Sequence, residues 1–367
     1  MKTSPRLIAF HLPQFHPTPE NDEWWGKGFT EWTNVAKAKR LYPDHYQPHV
    51  PADLGFYDLR LPEARHAQAE LAREYGIEGF CYYHYWFGDG RRMLERPVNE
   101  ILASGEPDFP FCLCWANHSW NNIWQGTADR TLIEQTYPGL EDHRLHFEWL
   151  LKAFKDRRYI TVDDKPLFLI YSPTDIPELP NVILFWRELA KQAGLAGLYL
   201  VGVNYRHRQD WNPISVGLDA STWQPLPPKD GHIPPRYRLR RLLNRIFLGK
   251  KSSLTVYDYA DTIEQLTRKS PPNFPDYPTV LPNWDNTPRS GENGLVLHGS
   301  TPELFGRVLR RGLSLISDNE PEHQIVFIKA WNEWAEGNYL EPDQFHGHGY
   351  LNVVRQELSR FRSEYNI

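Results

Sequence analysis

The chain has 367 residues, a formal net charge of -5, 40% hydrophobic and 24% charged residues, a balance that supplies a sizeable core and excludes wholesale disorder. The mildly acidic balance argues against a protein whose main business is nucleic acid, and no stretch approaches the roughly 18 uninterrupted apolar residues of a membrane-spanning helix. The unusual feature is aromatic: 14 Trp, 19 Tyr and 18 Phe are more than a core readily buries, which points to a ring-lined groove of the kind sugars stack in.

The first apolar run is too short and interrupted for a signal peptide, so a cytoplasmic location is expected. That run, "RLIAFHLPQ" (6–14), is the first of eight strand-like segments. The others are "GFCYYHYWF" (79–87), "FPFCLCWAN" (109–117), "KPLFLIYSP" (165–173), "GLYLVGVNY" (197–205), "ASTWQP" (220–225), "TVLPNWDN" (279–286) and "IVFIKAWNE" (325–333). Amphipathic helical stretches lie between several of them: "PEARHAQAELAREYG", "EDHRLHFEWLLKAFKD", "NVILFWRELAKQAG" and "TPELFGRVLRRGLSLIS". Near-continuous apolar strands alternating with helices indicate a parallel sheet, and eight of them predict an α/β fold, a single (β/α)8 TIM barrel with long βα loops over residues 1–367. No glycine-rich phosphate-binding fingerprint follows the first strand, which weakens an open nucleotide-binding sheet. Cys81, Cys112 and Cys114 fall inside strands at a spacing that suits neither a local disulfide nor a zinc pair, so buried free thiols are expected.

A barrel builds its site at the C-terminal ends of its strands. There the chain places His11 and Gln14, His84 and Trp86, Asn117, His118 and Trp120, Tyr171, Asn204, Trp223, Trp284 and Asp285, and finally Asn332, Glu333, Trp334 and Glu336. Such a rim suits a polyhydroxylated ligand, because each hydroxyl wants a donor or acceptor and each sugar face an aromatic partner. Glu333 and Glu336 are the candidate catalytic pair: cleaving a glycosidic bond needs one group to protonate the departing oxygen and another to act as nucleophile or base. Apolar neighbours and mutual repulsion push two such carboxyls apart in pKa. The competing reading is a solvated strand-to-helix turn capped by Glu336.

The stretches "AFHLPQFHP", "WWGKGFTEW", "EGFCYYHYWF", "CWANHSW", "KPLFLIY", "WDNTPR" and "AWNEWAEGNYLEPD" together resemble the WbsX-like group, labelled lipopolysaccharide-biosynthesis glycosyltransferases, which is similar to glycoside hydrolase family 99. The resemblance spans about residues 6 to 345. It implies a (β/α)8 endo-α-mannosidase-like enzyme with no cofactor and no metal. In that chemistry Glu333 assists the sugar's own 2-hydroxyl in closing a 1,2-anhydro ring, and Glu336 is the general acid/base. The first loop, from about Phe15 to Pro51, carries "NDEWWGKGFTEWTNV", which follows the WbsX-like pattern and not the mannosidase one. An oligosaccharide or polysaccharide of bacterial surface type is the implied partner, with hydrolysis or transfer as the outcome. A nucleotide-sugar glycosyltransferase and a non-catalytic glycan-binding barrel are the alternatives.

Three further features have two readings each. Glu31, beside Trp24, Trp25 and Trp32, reaches the site as a third carboxylate and substrate contact, or pairs with Lys27 or Lys37. His11, His16, His84 and His118 lack the helical spacing of a zinc motif, so hydrogen bonding to sugar is preferred to metal binding. The stretch "PPRYRLRRLLNRIFLGKKSS", within an insertion at about 227–255, pairs an apolar helical face with basic residues from Arg236 to Lys251. It packs on the barrel, or meets an anionic glycan or the inner membrane surface.

Overall fold

The computed structural model describes residues 4–121, 131–204, 211–223, 226–227, 254–268 and 271–365. The strands of the main sheet are β1 (Arg6–His11), β2 (Gly79–Trp86), β3 (Phe111–Trp115), β4 (Lys165–Ile170), β5 (Tyr199–Asn204), β6 (Ala220–Trp223), β7 (Asp276–Tyr277), β8 (Thr279–Val280) and β9 (Ile325–Ile328). They lie in the order β7-β6-β5-β4-β3-β2-β1-β9-β8, every adjacent pair parallel. The sheet closes because β7 and β8 are two pieces of one strand, separated only by Pro278. Proline has no N–H to give the ladder, so it interrupts the strand. Its carbonyl still accepts from the Phe327 amide at 2.9 Å. β7 pairs with β6 through Thr222 and Tyr277, and β8 with β9 through Val280 and Ile328. Counting the interrupted strand once, this is a (β/α)8 barrel.

The expected seventh strand, 279–286, therefore starts earlier, at Asp276, and stops sooner, at Val280 ahead of Pro282, and Trp284, Asp285 and Asn286 lie in the loop that follows. The four expected helices form as Pro62–Glu74, Leu140–Phe154, Leu179–Gln192 and Pro302–Ile316. The first loop is not irregular throughout, since Pro19–Trp25 and Glu31–Lys37 are helical. The basic stretch from Arg236 to Lys251 lies outside the described residues. Among the described residues no helix is long and apolar enough to cross a membrane.

Strand alternation divides side chains between the barrel interior and the helical layer. On β2, Cys81, Tyr83 and Tyr85 share a face with Cys112 and Cys114 of β3, while Tyr82, His84 and Trp86 share the other with Leu113 and Trp115. Trp115 and Trp86 pack against His146 of helix Leu140–Phe154, so their face is the outer one. Phe10, stacked on Tyr83 at 5.5 Å, marks the interior. Both faces of β2 are fully buried, as expected for a parallel strand covered by helices. The three cysteines are free and buried.

Candidate active site

Beyond β9 the chain makes a tight hairpin. Asn332–Glu333 pairs antiparallel with Asn338–Tyr339 around a single 3-10 turn, Trp334–Glu336. Gly337 closes the turn at φ 60°, and a Cβ there would lie 2.8 Å from both the backbone nitrogen and the Cβ of Asp285. This close approach accompanies a hydrogen bond from the Asp285 amide to the Glu336 carbonyl at 2.6 Å. Gly337→Ala combines left-handed strain with a backbone clash, so we expect a loss of roughly 1–3 kcal/mol in denaturant unfolding.

The hairpin puts both glutamates inside the barrel mouth, with Glu333 4% and Glu336 7% exposed. A solvated turn is thereby ruled out. Lys329 Nζ donates to Glu333 Oε1 at 2.8 Å and to the Tyr83 hydroxyl at 3.0 Å. Arg289 Nη1 donates to Glu336 Oε1 at 2.6 Å, and its Nε to Glu31 Oε1 at 2.8 Å. The two carboxyls stand close enough for each to bear on the other's ionisation. Burial raises the pKa of both. For Glu333 the burial effect is outweighed by the Lys329 charge, the bond from Glu336 and Arg289, so its carboxyl is held well below the usual range. For Glu336 burial prevails over Arg289 and is reinforced by the Glu333 charge, and the carboxyl is pushed up to about 8. Burial, with the Glu333 charge added, also raises Tyr83 and Tyr85, which stay neutral hydroxyls.

Trp284 and Tyr171, both expected here, flank this group: Lys329 Nζ lies 5.6 Å from the Trp284 ring, and Tyr171 meets Tyr83 edge-on at 6.3 Å. His118, an exposed residue, sits beside Tyr171, and desolvation by the surrounding protein lowers its pKa to about 4. Trp120 stands edge-on to Tyr85 at 5.1 Å. Asn204 and Trp223 end β5 and β6, half-buried.

Other expected contacts are committed elsewhere. His84 and Trp86 face the helical layer: His84 stacks on Trp149 and bonds His146 at 2.9 Å, and the Trp86 indole donates to Asp142. His11 also points outward, to Gln68 at 3.2 Å. The reason is parity: the interior positions of β2 are Tyr83 and Tyr85, and both faces of that strand are too aromatic for the pattern to tell them apart. Asn332 staples the hairpin to β1, accepting from the Leu12 amide at 2.7 Å and donating to the Leu12 carbonyl at 3.1 Å. Asn117 does the same between the loops after β3 and β4, through both backbone groups of Ser172. Trp334 stacks on Tyr339 and donates to Glu341 at 2.6 Å. Trp32 packs on Trp334 at 5.5 Å and donates to the Tyr57 carbonyl, while the Gln14 carbonyl accepts from the Glu31 amide. Glu31, 1% exposed, is turned to Arg289, and it pairs with neither Lys27 nor Lys37.

Asp285 is likewise consumed by structure. Its Oδ2 accepts from His45 Nε2 at 2.6 Å and Gln47 Nε2 at 2.8 Å, and its Oδ1 from the Thr287 amide and hydroxyl. The Leu41 amide donates to His45 Nδ1, leaving Nε2 to carry the ring hydrogen. Asp285 thus anchors the short helix Thr287–Ser290, which delivers Arg289 to the glutamates. Arg289, Lys329, Tyr83 and Tyr85 are the site residues that sequence reasoning passed over. Lys329 had a signal, a lone cation inside the apolar run "IVFIKAW" four residues before Glu333. Among the described residues no group of three or more His, Cys, Asp or Glu is arranged to hold a metal ion.

Among solved structures, a glycoside hydrolase-like protein superposes with a TM-score of 0.57 at 16% identity, covering 97% of this chain and 94% of its own. The family 99 endo-α-mannosidase from Bacteroides thetaiotaomicron superposes at 0.55 and 13% identity, covering 99% of each chain. At such identities the likeness concerns the barrel fold. Two relatives from Xanthomonas campestris pv. campestris, strains B100 and ATCC 33913, each described as uncharacterized protein WxcX, are 40% identical over 356 residues. Those residues make up 96% of this chain, which spans about half the length of either relative. The family described as Glycosyltransferase WbsX matches residues 7–354, a span that holds the barrel, the first-loop helices and the glutamate hairpin together, and the chain belongs to that family.

Proposed function

We propose that this protein is a glycoside hydrolase or transglycosylase, retaining and endo-acting on an α-linked, mannose-like bacterial polysaccharide, with the sugar's 2-hydroxyl as the nucleophile. One observation carries the reading: two buried carboxyls at the barrel mouth, each with its own cation, Lys329 on Glu333 at 2.8 Å and Arg289 on Glu336 at 2.6 Å, an environment that pulls Glu333 below and pushes Glu336 above the usual carboxylate range. O2 displaces the leaving oxygen with inversion at C1, so the two oxygens stand anti to each other on neighbouring carbons, and the reading gives one carboxyl to each.

Ionised Glu333 takes the O2 proton as O2 bonds to C1. The C1 bond to the leaving oxygen breaks, and Glu336 gives that oxygen its proton. In the second half Glu336, now a carboxylate, removes a proton from the incoming water or sugar hydroxyl, which bonds to C1. The O2–C1 bond opens, and O2 recovers its proton from Glu333. Two inversions at C1 give net retention. Lys329 keeps Glu333 ionised at the start of this cycle, and Tyr83, fixed by Lys329, is a donor at the cavity wall.

The family description favours transfer as the second outcome, and transfer uses the same pair with a sugar hydroxyl in place of water. The test is incubation with α-mannooligosaccharides and O-antigen-type polysaccharide, with and without a sugar acceptor, followed by anomeric proton NMR. New retained-configuration ends are expected, and no reaction with a 2-deoxy substrate. Cleavage of the 2-deoxy substrate at an undiminished rate would rule out O2 as nucleophile. Thermal stabilisation by a nucleotide-sugar, together with no glycan cleavage, would favour the nucleotide-dependent alternative.

A further inference from the structure

Glu31 and Glu336 come from opposite ends of the chain, yet one guanidinium spans them. Arg289 presents Nε and a second nitrogen to Glu31 and its remaining nitrogen to Glu336. Glu31 opens the helix Glu31–Lys37, whose Trp32 packs on Trp334 of the glutamate turn. The other ionisable groups bearing on Glu336 are Glu333 and Lys329 beyond β9, and Tyr83 from β2, with Tyr85 beside Glu333. Asp285, on the far side of the turn, is taken up by His45 and Gln47.

We infer that Glu31 is a positioning residue for Glu336, working through Arg289: it fixes the guanidinium against the Glu336 carboxyl while sharing its positive charge, so that the acid keeps its proton until substrate arrives. The inference rests on reading Glu336 as the acid. An unshared arginine beside a carboxyl favours the ionised form and would strip the acid of its proton. A second carboxylate in a two-nitrogen contact with the same guanidinium draws off much of that charge. What remains facing Glu336 is an N–H donor, able to stabilise the carboxylate left after proton delivery. The first loop is then a working part of the site.

The test reads Glu336 directly, by infrared titration of the protonated-carboxyl C=O band that disappears in Glu336→Gln. In the native protein this band is expected to titrate near pH 8. In Glu31→Gln its midpoint should fall by about one pH unit or more, and in Arg289→Gln it should rise. Glu31→Asp, which keeps the charge, should recover most of the native midpoint. A purely structural role for Glu31 predicts no such opposition of sign: an unchanged midpoint in Glu31→Gln, or shifts of one sign in both variants, would overturn the inference. A native protein with no near-neutral band lost in Glu336→Gln would instead remove the reading of Glu336 as acid.

Discussion

Glu336→Gln is expected to lower kcat by about 10²–10⁴-fold, the range a general acid contributes, while making the protein more stable above neutral pH. Both effects have one cause. Burial and the neighbouring Glu333 raise the Glu336 carboxyl to about 8, above the ordinary range of about 4.3 that it has in the unfolded chain. The native state therefore holds this proton more tightly than the unfolded state. The stability this contributes is fully present below the unfolded value and is lost as pH rises through the folded one. A neutral glutamine carries no such loss, and its amide can still donate to Glu333. Thermal unfolding of the variant and the native protein should agree near about pH 4 and diverge in the variant's favour by about pH 9. A variant less stable than the native protein at about pH 9, and by more than at about pH 4, would mean that Glu336 is ionised and held by Arg289. The same elevated carboxyl gives kcat/KM of the native enzyme an alkaline limb near 8.

Lys329→Met is expected to be the most damaging single change to the folded state, at about 3–5 kcal/mol near neutrality, because it leaves a buried carboxylate without its cation. Methionine replaces the stem of Lys329 but neither its bond to Glu333 nor its bond to Tyr83. The pH dependence should reverse sign. In the native protein Glu333 lies below its unfolded value, so its contribution is present above the ordinary carboxylate range and lost as pH falls toward the folded value. In the variant burial is largely unopposed, the folded value lies above the unfolded one, and stability declines as pH rises. Denaturant unfolding at about pH 4 and 7 reads this slope directly. The acid limb of kcat/KM should move up with the Glu333 value. Loss of less than about 1 kcal/mol at neutrality would place Lys329 among exposed ion pairs of little consequence and sink the assignment.

Arg289 and Lys329 thus have opposite standing. Lys329 bonds one glutamate, Glu333, and holds it ionised. Arg289 divides its guanidinium between two carboxyls, Glu31 and Glu336, and the second stays raised in pKa. The asymmetry comes from where each cation is anchored: Lys329 at the end of β9, four residues from its partner, and Arg289 on a short helix that Asp285 pins to the glutamate turn.

Local chemistry was enough to read the barrel from the chain. Near-continuous apolar runs at eight places, with amphipathic helices between them, specify parallel strands covered on both faces, and the motif "NEWAEG" marks its own two carboxylates. Such features depend on residues a few positions apart. Two things depended on distance and were decided only by tertiary structure. On β2 the alternation of Cys81, Tyr83 and Tyr85 with Tyr82, His84 and Trp86 defines two faces, but aromatics occupy both, so only the seating of Trp86 and Trp115 on His146 showed which face is outside. Glu31 and Arg289 are 258 residues apart. Nothing in either neighbourhood names the other, and the pair exists because the closed barrel brings its first and penultimate βα loops together over the final hairpin, where a buried charge must find a partner.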